Sequence, residues 1–292
     1  MAGPTGGGKT DLVKELNPNR FEIVSFDSRQ VYRELKWGTA VPDETIRNHI
    51  PHHMIDFINP DETLNAREFI LLAQKHVKEI LKREKIPVLT SGTGFYLKAF
   101  LMGMYEVPNV DPLLRTKAES MEKNERYEEL KRMDPEAASK LNPNDEYRVV
   151  RALEVNLSGV RWSERKVEEE EGFFFQKGIR WSGIFLDWSR EELYARINQR
   201  SEMILESGFI EETEKVKSAY GEDCPALNSL GYNFGLEIIN GTISLERLKE
   251  KFAQCHRNYA KKQITWFKKE KYLAPNSWST ALTILKKIET YG

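Results

Sequence analysis

Eight residues near the start, Gly3-Pro4-Thr5-Gly6-Gly7-Gly8-Lys9-Thr10, constrain the fold of this 292-residue chain more than any other stretch. The run matches GxxxxGK[ST] in full. Its glycines let backbone N–H groups converge on phosphate oxygens, and a helix opening at Lys9 adds the favourable end of its dipole. Lys9 then reaches a terminal phosphate, and the Thr10 hydroxyl is placed to bind Mg²⁺. The alternative is a glycine-rich turn that binds nothing. The motif identifies a polyphosphate ligand but not a reaction. A loop of this kind normally follows a central strand, yet only Met1 and Ala2 precede it. Without that strand the sheet would have a gap of unpaired backbone groups. The expectation is that the natural chain starts upstream; if Met1 is the true start, phosphate binding should be weak and the fold unstable.

The hydrophobic pattern beyond the loop is that of a parallel sheet. Lys9 to Leu16 reads as a short helix, and Phe21 to Phe26 as a β-prone run stopping at Asp27-Ser28. Asn65 to Arg83 reads as an amphipathic helix. Asn65 and Glu68 have capping-box spacing, and Phe69, Leu72, Val77, Ile80 and Leu81 form one stripe. Ile86 to Thr90 is a second short strand, ending in Ser91-Gly92-Thr93-Gly94. Strand, helix and strand in that order suggest a parallel sheet with helical crossovers, whose ligands bind beyond the carboxyl ends of the strands. From Asp111 to about Gly172 the chain is charged and helical without a convincing strand, as a helical insertion would be. The acidic run Glu168 to Glu171 marks its return as a solvated turn. Strand character resumes at Gly183 to Asp187. A helix begins after Ser189, with Glu192 at capping-box spacing and Gly208 placed to end it. The last long helix runs from after Ser244 to about Lys271. The expected division is a core in residues 1–108, an insertion in 109–176 and the rest of the core in 177–292.

Composition excludes several classes. The 44 basic and 45 acidic residues leave a formal charge of −1, so any nucleic-acid surface must come from local segregation. Cys224 and Cys255 lie far apart, which argues against a disulfide framework or structural zinc and fits a reducing cytoplasm. No apolar run approaches the ~20 residues of a membrane span. The adjacent His52 and His53 would not point at one metal from a regular element.

Other stretches carry chemistry. Asp27-Ser28-Arg29-Gln30-Val31-Tyr32 ends the strand beside the phosphate loop, so Asp27 can serve as a general base, bind magnesium or a ribose, or simply cap its loop. Thr93 can donate to phosphate or substrate, or belong to a tight turn. Arg148 and Arg151, three apart on a helix, suit diphosphate or an RNA backbone, or a solvated ion-paired face. Arg257 to Lys269 interleaves basic residues with Tyr259, Trp266 and Phe267, which suits RNA phosphates plus stacking, or an amphipathic helix with its aromatics in the core.

In order along the chain, these residues resemble the tRNA dimethylallyltransferase (tRNA isopentenylpyrophosphate transferase) family, from Gly3 to about Lys269. The resemblance takes in Gly38-Thr39-Ala40, Pro51-His52-His53-Met54-Ile55-Asp56, Gly92-Thr93-Gly94, Asn144 to Glu154, Gly231-Tyr232 and Ala260 to Trp266. It implies an α/β fold, P-loop NTPase-like, with a parallel sheet, flanking helices and a helical insertion domain. It further implies transfer of a dimethylallyl group from dimethylallyl diphosphate to the exocyclic amine of the adenosine 3′-adjacent to the anticodon in tRNA, with Mg²⁺ as cofactor. Asp27 would accept the amine's proton, with Thr10, Thr93 and Arg148 assisting. Gly3, Pro4, Thr5, Gly6, Gly7, Gly8, Lys9, Thr10 and Arg196 or Arg200 would hold diphosphate. Asp27, Ser28, Arg29, Gln30, Thr93, Tyr147, Arg148, Val149, Val150, Arg151, Asn228, Gly231, Tyr232 and Lys262 would touch the anticodon stem-loop. A cytoplasmic protein, monomeric, is expected, and of bacterial type, the last because no C-terminal zinc finger of the eukaryotic kind is present. Ser91 stands where the family commonly has glycine, and Asn233-Phe234 where it has a basic or glutamine-like pair.

Three rival readings remain. A small-molecule kinase would need a nucleoside triphosphate and would turn over ATP, and the chain offers no clear hydrophobic-run-plus-Asp magnesium motif of the kinase kind to support it. A prenyltransferase acting on free adenine nucleotides would not need the insertion and the basic aromatic helix. A non-catalytic RNA-binding protein would leave the phosphate loop and Asp27 without a purpose.

Overall fold

The computed structural model describes residues 1–104, 110–165, 172–176 and 178–291. Contacts divide the chain into two units, residues 1–101 with 177–292, and residues 102–176. The acidic run Glu168 to Glu171 and the boundary expected near Pro108 lie outside the described residues.

In the first unit, the phosphate loop leads into α1 (Lys9–Lys14), then β1 (Phe21–Phe26), α2 (Glu44–His49), β2 (His52–His53), α3 (Ala66–Lys82), β3 (Ile86–Ser91) and α4 (Gly94–Met102). β1 pairs in parallel with β2 on one side and β3 on the other. All six β1 residues are buried, as a central strand covered on both faces requires. Phe26 packs edge-on against Phe69 of α3 (5.5 Å) and Phe100 of α4 (5.1 Å), closing one face. Glu22 is the exception to the strand's apolar character. Burial alone would raise its carboxyl, but Arg83 (2.7 Å), His53 (2.8 Å) and Lys85 (3.3 Å) converge on it and hold it at about 2. The capping box of α3 forms as expected. Its buried face is Phe69, Ile70, Ala73, Val77 and Ile80, whereas Leu72 and Leu81 of the expected stripe are only half-buried.

The second unit holds helices and no strand among its described residues: α5 (Pro112–Ser120), α6 (Lys123–Met133), α7 (Pro135–Lys140), α8 (Glu146–Leu157) and α9 (Phe173–Gln176). Pro112 and Pro135 stand in first turns, where a missing N–H costs nothing. Leu130, Ala137, Ala138, Val149 and Ala152 form one small core, and Ala118, Val150 and Leu153 another. Asp134 caps α7 by accepting from Ala137 N (3.0 Å) and ties in Ser163 N (2.8 Å).

The first unit resumes with β4 (Ile184–Leu186), α10 (Arg190–Glu206), α11 (Phe209–Tyr220), α12 (Tyr232–Ile239), α13 (Leu245–Phe267), β5 (Ala274–Asn276) and α14 (Trp278–Tyr291). β5 pairs in parallel with β4. Residues 1–3 span the gap expected between β3 and β4. Ala2 N donates to Ile184 O (2.7 Å) and Leu186 N to Ala2 O (2.9 Å), while Ser91 N donates to Met1 O (3.0 Å) and Gly3 N to Ser91 O (3.2 Å). Leu12, Val13, Ile23, Val88, Leu186, Ala281 and Leu285 share one core, so α1 and α14 cover the second face of the sheet. The sequence reading of this segment needs correction. α13 stops at Phe267 rather than near Lys271, and it is not the last helix, because β5 and α14 follow. Gly208 does end α10, but in a left-handed conformation (φ 109°) it also opens α11. Among the described residues no helix is long and apolar enough to cross a membrane.

Candidate functional site

The phosphate loop is held from outside by its own carbonyls. Lys9 Nζ donates to Gly3 O (2.7 Å) and Pro4 O (2.9 Å), and Arg196 Nε to Gly6 O (2.8 Å). Two indoles complete the clamp: Trp188 Nε1 donates to Gly7 O (3.0 Å) and Trp278 Nε1 to Gly8 O (3.3 Å). Gly6 and Gly8 adopt left-handed φ of 73° and 78°, which a side chain would strain. Carbonyls turned outward leave the first-turn amides of α1 to face an anion. Desolvation, and then the charge of Arg200, lower Lys9 to about 7, while Asp27 pulls it back upward. Arg200, called from sequence together with Arg196, is brought to the same place. Burial lowers it, against Asp27 and Asp11, and Arg196 also pairs with Asp11 (3.1 Å). Both expected arginines therefore lie at the loop.

Asp27 continues the β1 face that carries Ser25, two residues earlier, and with Lys9, Thr10 and Gly92 it lines one cleft. Its Oδ1 accepts Arg29 N (2.9 Å) and Gln30 N (3.4 Å), so it does cap its loop. Its Oδ2 turns toward Gly92, 3.7 Å from where a β-carbon would stand. One oxygen thus fixes the carboxylate while the other faces the cleft, as an oriented proton acceptor requires. Tyr259, read from sequence as either an RNA-stacking residue or a core aromatic, sits in this constellation. Burial, and then the Asp27 charge, push its phenol up to about 12, opposed by contacts with Thr93 and Gln263. His52, set aside in the sequence reading, also lines the cleft. Burial lowers it, and its Nδ1 meets Ile50 O at 2.8 Å.

Several residues expected to touch RNA are placed otherwise. Tyr232 is fully buried with its ring 5.0 Å from that of Phe209, and a β-carbon on buried Gly231 would lie 2.5 Å from Phe252. Both are packing residues. Val149 and Val150 are buried in the two small cores of the insertion. Phe267 packs in the sheet core against Phe185 (5.8 Å). The Gln30 amide is engaged at both ends, with Ser25 Oγ (2.9 Å) and with the carbonyls of Thr39 (3.2 Å) and Ala40 (3.1 Å). Ser28 and Arg29 are half-buried, and Arg29 donates to Pro225 O (3.4 Å). Arg151 is committed to the buried carboxylate of Glu154 at 2.5 Å. Arg148 is exposed and pairs with Asp145 (3.4 Å), and Tyr147 beside it is 70% exposed. Asn228 and Lys262 are exposed.

Among the described residues no cluster of three or more His, Cys, Asp or Glu forms a metal site. Two of the oxygen donors that line the cleft, the Thr10 hydroxyl and the Asp27 carboxylate, suit Mg²⁺, which commonly takes one or two protein oxygens and completes its shell with water and substrate phosphates.

Comparison with known proteins gives the family. Residues 30–270 match the IPP transferase family. The tRNA dimethylallyltransferase of Leptospira biflexa serovar Patoc is 49% identical over 290 residues, covering 99% of this chain and 98% of its own. That of Leptospira interrogans is 45% identical with the same coverage. Among solved structures, the tRNA delta(2)-isopentenylpyrophosphate transferase of Staphylococcus epidermidis is 31% identical, with a TM-score of 0.68 over 99% of this chain and 96% of that one. A eukaryotic dimethylallyltransferase acting on tRNA, 24% identical, shares the fold with a TM-score of 0.77 over 96% of this chain and 73% of that one.

Proposed function

The chain belongs to the IPP transferase family, and from that premise we propose that it transfers a dimethylallyl group from dimethylallyl diphosphate to an adenosine of tRNA, releasing diphosphate. The acceptor in this reading is the exocyclic amine of the adenosine next to the anticodon on its 3′ side, turned out of its stack. One observation carries the reading: the loop that would hold a diphosphate and a singly anchored carboxylate line the same cleft.

The residues divide the work. The phosphate-loop amides, Lys9, Arg196 and Arg200 neutralise the charge that develops on the leaving diphosphate. Thr10 and the diphosphate oxygens would hold Mg²⁺, whose chemistry is to stabilise that same charge. The allylic carbon tolerates positive character as the carbon–oxygen bond lengthens. The amine nitrogen attacks it, the new carbon–nitrogen bond forms, and Asp27 Oδ2 takes the proton that the amine must lose. The exposed Tyr147 and Arg148 of the insertion are the surface proposed to meet the anticodon stem-loop.

Incubation with labelled dimethylallyl diphosphate and tRNA, AMP or ATP tests the reading. Label in tRNA alone is expected. Label in AMP or ATP identifies the free-nucleotide prenyltransferase, and turnover of ATP without label transfer identifies a kinase.

A further inference from the structure

The sequence reading left Gln263 without a role. It lies on α13, is 6% exposed, and spends both ends of its amide on elements far away in sequence. Oε1 accepts the backbone N–H of Thr5 in the phosphate loop (2.8 Å), and Nε2 donates to Gly92 O in the turn after β3 (2.8 Å). The turn is shaped for this contact: a β-carbon on Gly92 would lie 3.0 Å from Gln263 Nε2. The neighbours one turn away on the same helix face extend the grip. Tyr259, four residues earlier, contacts Thr93 through its phenol. Trp266, three residues later, lies so close to Gly94 that a β-carbon there would stand 2.1 Å from its Nε1. Gly92, Thr93 and Gly94 are thus each met by one side chain of α13, and only Gln263 reaches across to the phosphate loop as well.

We propose that Gln263 is a positioning residue for the transfer reaction, fixing the phosphate loop and the Thr93 turn in one register so that leaving group and proton acceptor face the same acceptor nitrogen. The proposal rests on the function given above. The physical reason is the tolerance of such chemistry: a displacement of about 1 Å at a reacting centre can cost ~10²-fold in rate. Among residues of this size only an amide, or a neutral carboxylic acid, supplies one donor and one acceptor at this separation. A hydrocarbon would fill the space and hold neither loop.

The test uses the full chain with dimethylallyl diphosphate and tRNA, comparing Gln263→Leu and Gln263→Glu with the unsubstituted protein. Gln263→Leu is expected to lower kcat by about 10- to 100-fold while KM for dimethylallyl diphosphate stays within about 3-fold, since the phosphate-loop cations are untouched. Gln263→Glu supplies the signature that a merely structural role would not. Its neutral acid reproduces both hydrogen bonds, whereas its carboxylate cannot donate to Gly92 O. Burial raises the pKa of such an acid, so kcat relative to the unsubstituted chain should be highest near pH 6 and fall about tenfold or more by pH 8.5. That ratio remains readable if Gln263→Leu fails to fold. A Gln263→Glu ratio that is flat across this range, or a folded Gln263→Leu with unchanged kcat, overturns the proposal and leaves the functional reading standing. If the unsubstituted chain does not transfer at all, both fall.

Discussion

The Tyr232 phenol donates to Glu212 Oε1 at 2.5 Å, and the same carboxylate accepts the backbone N–H groups of Lys36 (2.6 Å), Trp37 (2.8 Å) and Gly38 (3.1 Å). The pair ties the loop after β1 to α11 and α12, and a β-carbon on Gly38 would strike the Tyr232 ring at 2.5 Å. Tyr232→Phe removes a buried hydrogen bond to a carboxylate and should cost about 2 kcal/mol of stability. Its tRNA affinity should match that of the unsubstituted chain under folded conditions. Thermal denaturation beside a tRNA binding isotherm checks this. Weakened RNA binding at unchanged stability would restore Tyr232 to the RNA surface.

Asp27→Asn keeps the oxygen that caps Arg29 and Gln30 but removes the proton acceptor. Transfer should fall by about 10²- to 10⁴-fold, while titration with inorganic diphosphate gives an affinity like that of the unsubstituted chain. Near-normal transfer would remove Asp27 from the mechanism.

Lys9, at about 7, makes anion binding sensitive to pH. A bound diphosphate favours the ammonium form and so raises this pKa. The extra affinity is therefore full below pH 7 and falls as pH rises above it, because binding must then bring in a proton. Calorimetry at pH 8 in buffers of different ionisation enthalpy should show proton uptake. Lys9→Arg, which keeps its charge, should show less uptake and a flatter profile.

Glu22 governs acid stability in the opposite sense. Its folded pKa of about 2 lies below the usual 4.5, so its contribution is complete above about pH 4.5 and is lost as pH falls toward 2. Glu22→Gln leaves Arg83 and Lys85 without their carboxylate and should cost roughly 3 kcal/mol at neutral pH. Urea denaturation at pH 7 and pH 3 should show the gap between the two proteins narrowing in acid.

What the sequence made legible follows a physical division. The phosphate loop and Asp27, which line one cleft, could be singled out because glycines and a carboxylate at a strand end carry their chemistry in their spacing. The α3 capping box was found because Asn65 and Glu68 act locally. The misplaced residues are those whose role depends on which way a helix faces. Val149, Val150 and Tyr232 sit in motifs that mark a position as important without saying whether it packs or binds. The basic residues of α13 drew its aromatics toward RNA, although Phe267 and Gln263 lie on the same buried face as Phe252, His256 and Ala260. A glutamine in such a face is itself a signal, because a buried amide must find partners. α14 was missed because the sequence reading carried α13 through to about Lys271 and looked for no element beyond it.

Trp188 and Trp278, two of the chain's six tryptophans, hydrogen-bond to the phosphate loop at Gly7 and Gly8. The loop therefore carries its own optical reporters. A ligand that reorganises those peptide groups will alter the emission of these indoles, so occupancy can be followed by intrinsic fluorescence without label or coupled assay. Replacing each tryptophan with phenylalanine in turn would show which side of the clamp responds first.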